Sequence, residues 1–418
     1  MARLFLPNFD FEHQLAERSR ADFGEAVRQI NADLACVWLA VAESEDAVWS
    51  PAGKPIFGFV GWPPSAVQDR SFSTVETRMA EGGHPTGSGI RWITDDSQLA
   101  RGDELCPWGW SERVVTWGRL RGLTCPAPPI DAVRDVNSRR FSFELEIERQ
   151  CGIDGAAVIE SLGQLREALG DAARFQRGWI IKALLGMSGR ERLAGRGSEL
   201  APPMLGWLRE RLARDGAVIF EPWLDRIAEA GIQWDIPQHG GPVFVGVAPM
   251  IDPPNSSGGY FGSRIDPHGF SDSVGQPAID VTARVASEVQ RRGYFGPLGI
   301  DAMLYRDADG QTRLRPIQDV NARWTMGRLA LELRRFLKPH EFGSWLHLNW
   351  NVRDPASARE RRQLASSRLP SDVRLLWTSP LEIGGTVPRK QTVLLAATDC
   401  TSRTVAEAAL IQFGSGNE

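Results

Sequence analysis

Cysteine is scarce and scattered in this chain: five in 418 residues, at Cys36, Cys106, Cys125, Cys151 and Cys400, with no Cys-x-x-Cys pair. An odd number of widely spaced thiols suits a reducing compartment and offers neither a disulfide framework nor a thiolate metal site. The six histidines, His13, His84, His239, His268, His340 and His347, show no metal-ligand spacing, so a surface or structural role is expected of each. No apolar run approaches the roughly 20 residues of a membrane-spanning helix. The opening MARLFLPNFDFEHQ meets Asn and acids too soon to hold the apolar core of a signal peptide. A basic excess is also missing. Lys and Arg number 48 against 52 Asp and Glu, a net charge of −4, with the acids interspersed. That balance argues against a nucleic-acid partner and against an acidic tail. No internal repeat with a period of about 20–50 residues is visible. The expectation is a cytoplasmic protein with no membrane and no nucleic-acid partner.

What is present is apolar mass and many turns. A hydrophobic content of 42% over 418 residues supports two or three domains, and 42 Gly and 27 Pro spread through the chain suit an α/β fold with frequent connections. DFGEAVRQINADL has helical spacing, while ACVWLAVA and PIFGFVGW are apolar runs of strand length. Trp108, Trp110 and Trp117 crowd a loop-rich stretch, read as packing with substrate stacking as the alternative. DGAAVIESLGQLREALG places Val158, Leu162, Leu165 and Leu169 on one helical face that ends at Gly170. A short strand with a Gly-punctuated loop follows, then the helix PPMLGWLRERLARDG with Pro at its start and Gly after its end. AVIFEPWL and GPVFVGVAPMID read as strands, AIDVTARVASEVQRRGY as a helix, GPLGIDAMLYRDADGQTRLRPIQDVN as a hairpin around a DADG turn, and MGRLALELRRFL as a closing helix. The last segment carries strands such as QTVLLAAT and a basic run SARERRQ, read as a solvated helix face.

Three of these stretches carry chemistry. In WIIKALLGMSGRER, Lys182 ends an apolar strand and a turn containing Gly186, Ser188 and Gly189 follows. Glycines let backbone N–H groups converge on an anion, and a lysine beside them adds a point charge. The lysine precedes the glycines, so this is not the GxxxxGK[ST] phosphate loop, and an ordinary strand end remains the plain alternative. In AVIFEPWLDRIAEAG, Pro222 ends ladder pairing after Glu221, leaving an extended link through Trp223 and Leu224. Such a link can serve as a hinge between lobes, as a backbone donor and acceptor for a purine, or as both. In the hairpin, Asp301 on one strand can meet Asp319 and Asn321 on the other. The last two differ by two positions and so share a face. Two carboxylates and a carboxamide form the hard oxygen set that Mg²⁺ takes when phosphates complete its shell. Arg323 follows and can hold a phosphoryl or carboxylate group with its planar fork. Cross-strand polar pairing is the plain alternative.

Taken in order, IIKALLGMSGRER, FEPWL, GPLGIDAM and RPIQDVNARWTMG resemble the ATP-grasp superfamily, specifically its carboxylate–amine ligases, over roughly residues 135–335. The resemblance implies an α/β (α+β) chain in three parts. Residues 1–135 would be an N-terminal α/β pre-ATP-grasp-like domain on the substrate side. Residues 136–340 would be two lobes clasping the nucleotide, a small lobe over about 150–225 and a metal-binding lobe over about 226–340. Residues 341–418 would pack on that core. It also implies roles: Lys182 and Arg139 on phosphates, and Gly186, Ser188 and Gly189 as a flap over them. Glu221, Trp223 and Leu224 would take the adenine through backbone, and Glu229 the ribose, with Asp225 as the alternative acid. Asp301, Asp319 and Asn321 would hold Mg²⁺, or Mn²⁺ in its place, and Arg323 would act on the transferred phosphoryl or the acyl substrate. The family usually has Glu at the position of Asp319 and often Lys at that of Arg139, so both are departures. The implied reaction is ATP-dependent joining of a small carboxylate to a small amine with release of ADP and phosphate. A small-molecule kinase on the same scaffold and a non-catalytic ATP-binding protein are the alternatives, and a homodimer is compatible with each.

Overall fold

The structure is a computed structural model that describes residues 1–16, 24–57, 90–171, 175, 177–186, 191–252, 260–266, 275–350, 352 and 354–414. The chain opens with a parallel sheet in which Arg3–Leu6 lies between Ala47–Trp49 and Glu104–Pro107, with Arg91–Ile93 at one edge. Helix Glu112–Leu120 leaves its last strand, capped by Ser111, whose hydroxyl accepts from the Val114 N–H. ACVWLAVA, expected to be a strand, instead forms the 3₁₀ helix Ala35–Ala40. It is buried on all sides: Trp38 is fully covered and packs on Phe5, Trp108 and Trp324. A short run buried all round has no amphipathic period to separate helix from strand.

An antiparallel sheet follows, in the order Ala157–Ile159, Val218–Pro222, Trp179–Ala183, Arg192–Gly195. Helices Leu162–Asp171 and Pro202–Asp215 bury Leu165, Leu169 and Leu208 against Trp179 and Phe220. The single helix expected from residue 154 is therefore two elements. Val158 belongs to a strand, in register with Ile219, and the helix begins after Ser161, whose hydroxyl accepts from the Gln164 N–H at 3.2 Å. The Ser start signal outweighed the apparent helical period of the residues before it. Helix Pro202–Asp215 starts on proline and stops at Gly216, left-handed at φ +76°, as its sequence predicts.

The largest sheet is antiparallel, in the order Val243–Pro249, Asp225–Ile236, Gly296–Arg306, Thr312–Asn321. Helices Arg139–Glu148 and Gly275–Arg291 pack against its hairpin. The DADG turn forms as expected. Asp307 Oδ1 accepts from the N–H groups of Asp309 (3.0 Å) and Gln311 (2.8 Å), and Gly310 takes φ +79°. Helix Met326–Glu332 closes this part, running into a 3₁₀ turn at Leu333–Phe336. A final antiparallel sheet has the order Gly262–Ile265, Phe342–Asn349, Lys390–Ala397, Arg374–Trp377, covered by helices Pro355–Ser367 and Cys400–Gly414. The basic run on the first of these helices is not wholly solvated: Arg362 is fully buried. Its Nη2 donates to the carbonyls of Ser379 (3.0 Å) and Pro380 (2.8 Å), its guanidinium lies 4.7 Å from the Trp377 ring centre, and burial pulls its pKa down to about 9. Among the described residues, no helix is long and apolar enough to cross a membrane.

Candidate active site

The hairpin register sets Asp301 directly opposite Asp319, and Gly299 opposite Asn321. The two acids and the amide thus gather on one stretch of sheet. Asn321 Nδ2 donates to Asp301 Oδ2 at 3.2 Å. Burial pushes the Asp301 carboxyl up to about 7, helped by the charges of Asp319 and Glu229. Two crowded carboxylates are a pair that a hard divalent cation relieves, while Asn321 turns its amide N–H to Asp301 and its oxygen to Arg323. Opposite them, Gly231 pairs with Asp301 from the adjoining strand and keeps the space above Asp301 free of a side chain. Among the described residues, no cluster of three His, Cys, Asp or Glu has metal-binding geometry. The candidate ligands here are two acids and Asn321, fewer than a hard divalent cation takes.

Cations stand over this floor. Arg139 opens helix Arg139–Glu148. Its Nη1 donates to the Ala183 carbonyl at 2.7 Å and its Nη2 to that of Gly186 at 3.2 Å, the latter nitrogen also lying 3.5 Å from Asp319 Oδ2. Lys182 Nζ donates to Glu221 Oε2 at 2.6 Å. Arg192 is in register with Lys182 on the neighbouring strand, and burial with the nearby charges of Arg139 and Arg226 lowers its pKa. Glu229 accepts from Arg226 (2.7 Å) and from Gln318 Nε2 (3.0 Å).

The third side comes from helix Phe11–Leu15, which carries Glu12, and from Trp108 just after strand Glu104–Pro107, both meeting Arg323. Arg323 Nε and Nη2 both reach Glu12 Oε1, at 2.7 and 2.6 Å, and Nη2 also donates to Asn321 Oδ1 at 2.9 Å. The guanidinium lies 5.7 Å from the Trp108 ring centre. Trp108 is therefore both core and wall, buried against Phe9 and Trp38 while bounding the site.

A cavity of about 590 Å³ joins these groups. Of the residues singled out from the sequence, Arg139, Lys182, Gly186, Glu229, Asp301, Asp319, Asn321 and Arg323 line it. Glu221, Trp223 and Leu224 do not: the Glu221 side chain is turned into ion pairs with Lys182 and Arg315, and the Trp223 N–H donates to the Gly178 carbonyl at 2.9 Å. Asp225, the alternative ribose acid, pairs with Arg177 at 2.8 Å. Ser188 and Gly189 lie outside the described residues. His347, expected to be a surface or structural residue, is buried in the wall of the cavity, its pKa held well below the usual value by burial and by Lys390. Sequence reasoning missed Glu12, Arg192, Arg226 and Gln318. Arg192 had a signal, since it follows the Gly-rich turn at a distance that returns it beside Lys182. Gln318 adjoins Asp319 but points with Glu229. Glu12 had none.

No protein-family model matches the sequence, and no curated protein is similar enough to count as a relative. Solved structures are similar over nearly the whole chain. The N5-carboxyaminoimidazole ribonucleotide synthetase of Thermus thermophilus superposes with a TM-score of 0.53 at 12% identity, covering 99% of both chains. The carboxyaminoimidazole ribonucleotide synthase of Aspergillus clavatus, complexed with ATP, gives 0.52 at 12% identity, covering 99% of this chain and 98% of that one. The biotin carboxylase domain of Hydrogenobacter thermophilus 2-oxoglutarate carboxylase, a dimer with MgADP, ADP and bicarbonate, gives 0.50 at 10% identity over 94% and 86%. The chain has the ATP-grasp fold. The cavity is lined both from the sheet bearing Lys182 and from the sheet bearing Asp301 and Asp319.

Proposed function

We propose that this chain is an ATP-dependent carboxylate–amine ligase. The observation that carries the reading is the meeting, in one cavity of an ATP-grasp fold, of the Asp301–Asp319–Asn321 oxygen set with Lys182, Arg139, Arg192 and Arg226. One half suits a divalent cation, the other a polyphosphate. The similar structures that carry ATP, MgADP and bicarbonate support a nucleotide there and a small acid beside it.

Asp301, Asp319 and Asn321 would hold Mg²⁺, or Mn²⁺ in its place, and the ion supplies neutralisation of phosphate charge when bound. Asp319 in place of the longer Glu is compatible with this seat, because the register already sets it against Asp301. Lys182 and Arg139 meet the phosphates, with Gly186 beside them in the cavity wall. Glu229, paired with Arg226 and Gln318, takes the ribose. The adenine expected on the backbone of Glu221, Trp223 and Leu224 would have to displace the bond from the Trp223 N–H to the Gly178 carbonyl, since Glu221 and Pro222 are laddered with Ile180 and Trp179. A carboxylate oxygen attacks the γ-phosphorus, the bond to the ADP oxygen breaks, and an acyl phosphate forms. The amine nitrogen then attacks the acyl carbon, the carbon–oxygen bond to phosphate breaks, and the nitrogen loses a proton. A carboxylate needs this detour because its own leaving group is oxide. Lys182 and Arg139 spread the charge of the transferred phosphoryl, and Arg323, fixed between Glu12 and Asn321, orients the acyl group. Walls such as Trp108, Phe9, Ile30 and Leu34 exclude water that would hydrolyse the acyl phosphate.

The test incubates the purified protein with ATP, Mg²⁺ and pooled carboxylates and amines. ADP and phosphate formed only when both pools are present support the ligase. A phosphorylated product without free phosphate indicates a kinase, and nucleotide-induced thermal stabilisation without turnover indicates a binding protein.

A further inference from the structure

We infer that Glu146 and Arg315, neither of which lines the cavity, are positioning residues that set where the phosphate-facing ammonium of Lys182 stands; the inference rests on the ATP reading above. Four charged side chains form one line into the core. Glu146 receives Arg315 Nε on one oxygen at 2.6 Å and Nη2 on the other at 2.9 Å. Arg315 turns its remaining donors to Glu221, Nη2 to Oε1 at 2.8 Å and Nη1 to Oε2 at 3.2 Å. Glu221 Oε2 then accepts from Lys182 Nζ at 2.6 Å. Glu146, Arg315 and Glu221 are 1%, 3% and 5% exposed, and only Lys182 reaches the cavity. The signs alternate and sum to zero. Burial would raise the Glu221 carboxyl, but Arg315 and Lys182 overcome it and hold the group well below the usual carboxylate range.

The geometry assigns the first two members a task. A lysine head sits on a flexible four-carbon stem, so its place is set by what it binds rather than by its backbone. Glu221 gives it that place, yet Glu221 is itself a side chain, fixed by the planar fork of Arg315, which is fixed in turn by a bidentate carboxylate. The members also belong to different bodies. Lys182 and Glu221 come from neighbouring strands of the small lobe, with Ile180 in register with Glu221. Arg315 comes from the large-lobe hairpin and Glu146 from the helix whose first residue is Arg139. That one helix thus presents Arg139 to the cavity directly and reaches Lys182 through Glu146, Arg315 and Glu221.

A merely stabilising ion cluster would affect every ligand alike, whereas misplacing Lys182 harms only ligands with phosphates. The experiment measures ADP and adenosine binding by calorimetry to wild type, K182M, the charge-balanced E146Q/R315M double variant, which keeps the Glu221–Lys182 pair, and the triple variant adding K182M. The expected result is ADP binding weakened at least about tenfold in the double variant, the scale of a hydrogen bond to a charged group. Adenosine affinity should stay unchanged, and K182M should cost less in the double variant than in wild type. Loss of both ligands in parallel, unaltered ADP binding, or full additivity with K182M overturns the inference while leaving the ATP reading intact. A wild-type protein that binds neither ligand overturns both. If circular dichroism shows the double variant unfolded, R315K carries the same comparison, because an ammonium cannot bridge two carboxylates through a fixed fork.

Discussion

Asp301 and Asp319 face each other across the hairpin, and the first of them is held near neutrality by burial and by its acidic neighbours. Because the folded value lies above the usual Asp value of about 4, the native state keeps this proton longer than the unfolded chain does. Ligand-free stability should therefore decline as pH rises from about 4 and level off once it passes about 7. Thermal melts of wild type and D301N across that range check it. D301N should flatten the decline and raise stability at pH 8 without ligand, and MgADP, expected to raise the melting temperature of wild type, should not raise that of D301N.

Lys182→Ala and Asp319→Ala should each lower turnover by about two to four orders of magnitude, the scale on which single preorganised charges act. Steady-state ADP release with an identified acid and amine measures this. Near-normal rates in both variants would remove the site assignment.

Glu12→Gln replaces a buried carboxylate that two nitrogens of Arg323 share. Removing one partner of a buried pair leaves the other uncompensated, at a cost of about 3 kcal/mol. Urea unfolding should show that loss, and the double variant E12M/R323M should recover part of it. Equal stability of E12Q and wild type would mean that the pair is solvated rather than structural.

The histidine in the cavity wall gives a prediction of opposite sign. Burial and Lys390 keep His347 neutral in the folded state, while an unfolded chain takes up its proton near the ordinary value of about 6.5. His347 should therefore cost stability as pH falls below about 6.5, and His347→Gln should remove that part of the acid sensitivity. Comparing denaturation midpoints at pH 5 and pH 8 for both proteins tests it.

The hairpin site was legible because three local rules agreed there: a period of two along the strand, turn chemistry in DADG, and acids with an amide on one face. Lys182 was legible as a strand end for the same reason. Its partner was not, since Glu221 drew notice only for the backbone around it, and Arg315 and Glu146 come from elements far apart in the chain. Ala35–Ala40 and Val158 were misread where apolar pattern alone had to separate helix from strand. Arg362 was misread because composition cannot show that one residue of a basic helix turns inward onto Trp377.

The contact between Glu12 and Arg323 spans 311 positions of chain. At a synthesis rate of about 5–20 residues per second, the acid leaves the ribosome roughly 15–60 s before its cation. The strands of the first sheet are all made by Pro107, long before the arginine exists. Should the first sheet form before the arginine emerges, the Glu12 carboxylate would stand without its cation in the nascent chain. A lone carboxylate favours water over apolar contact, so this side of the cavity could close only once residue 323 has been made.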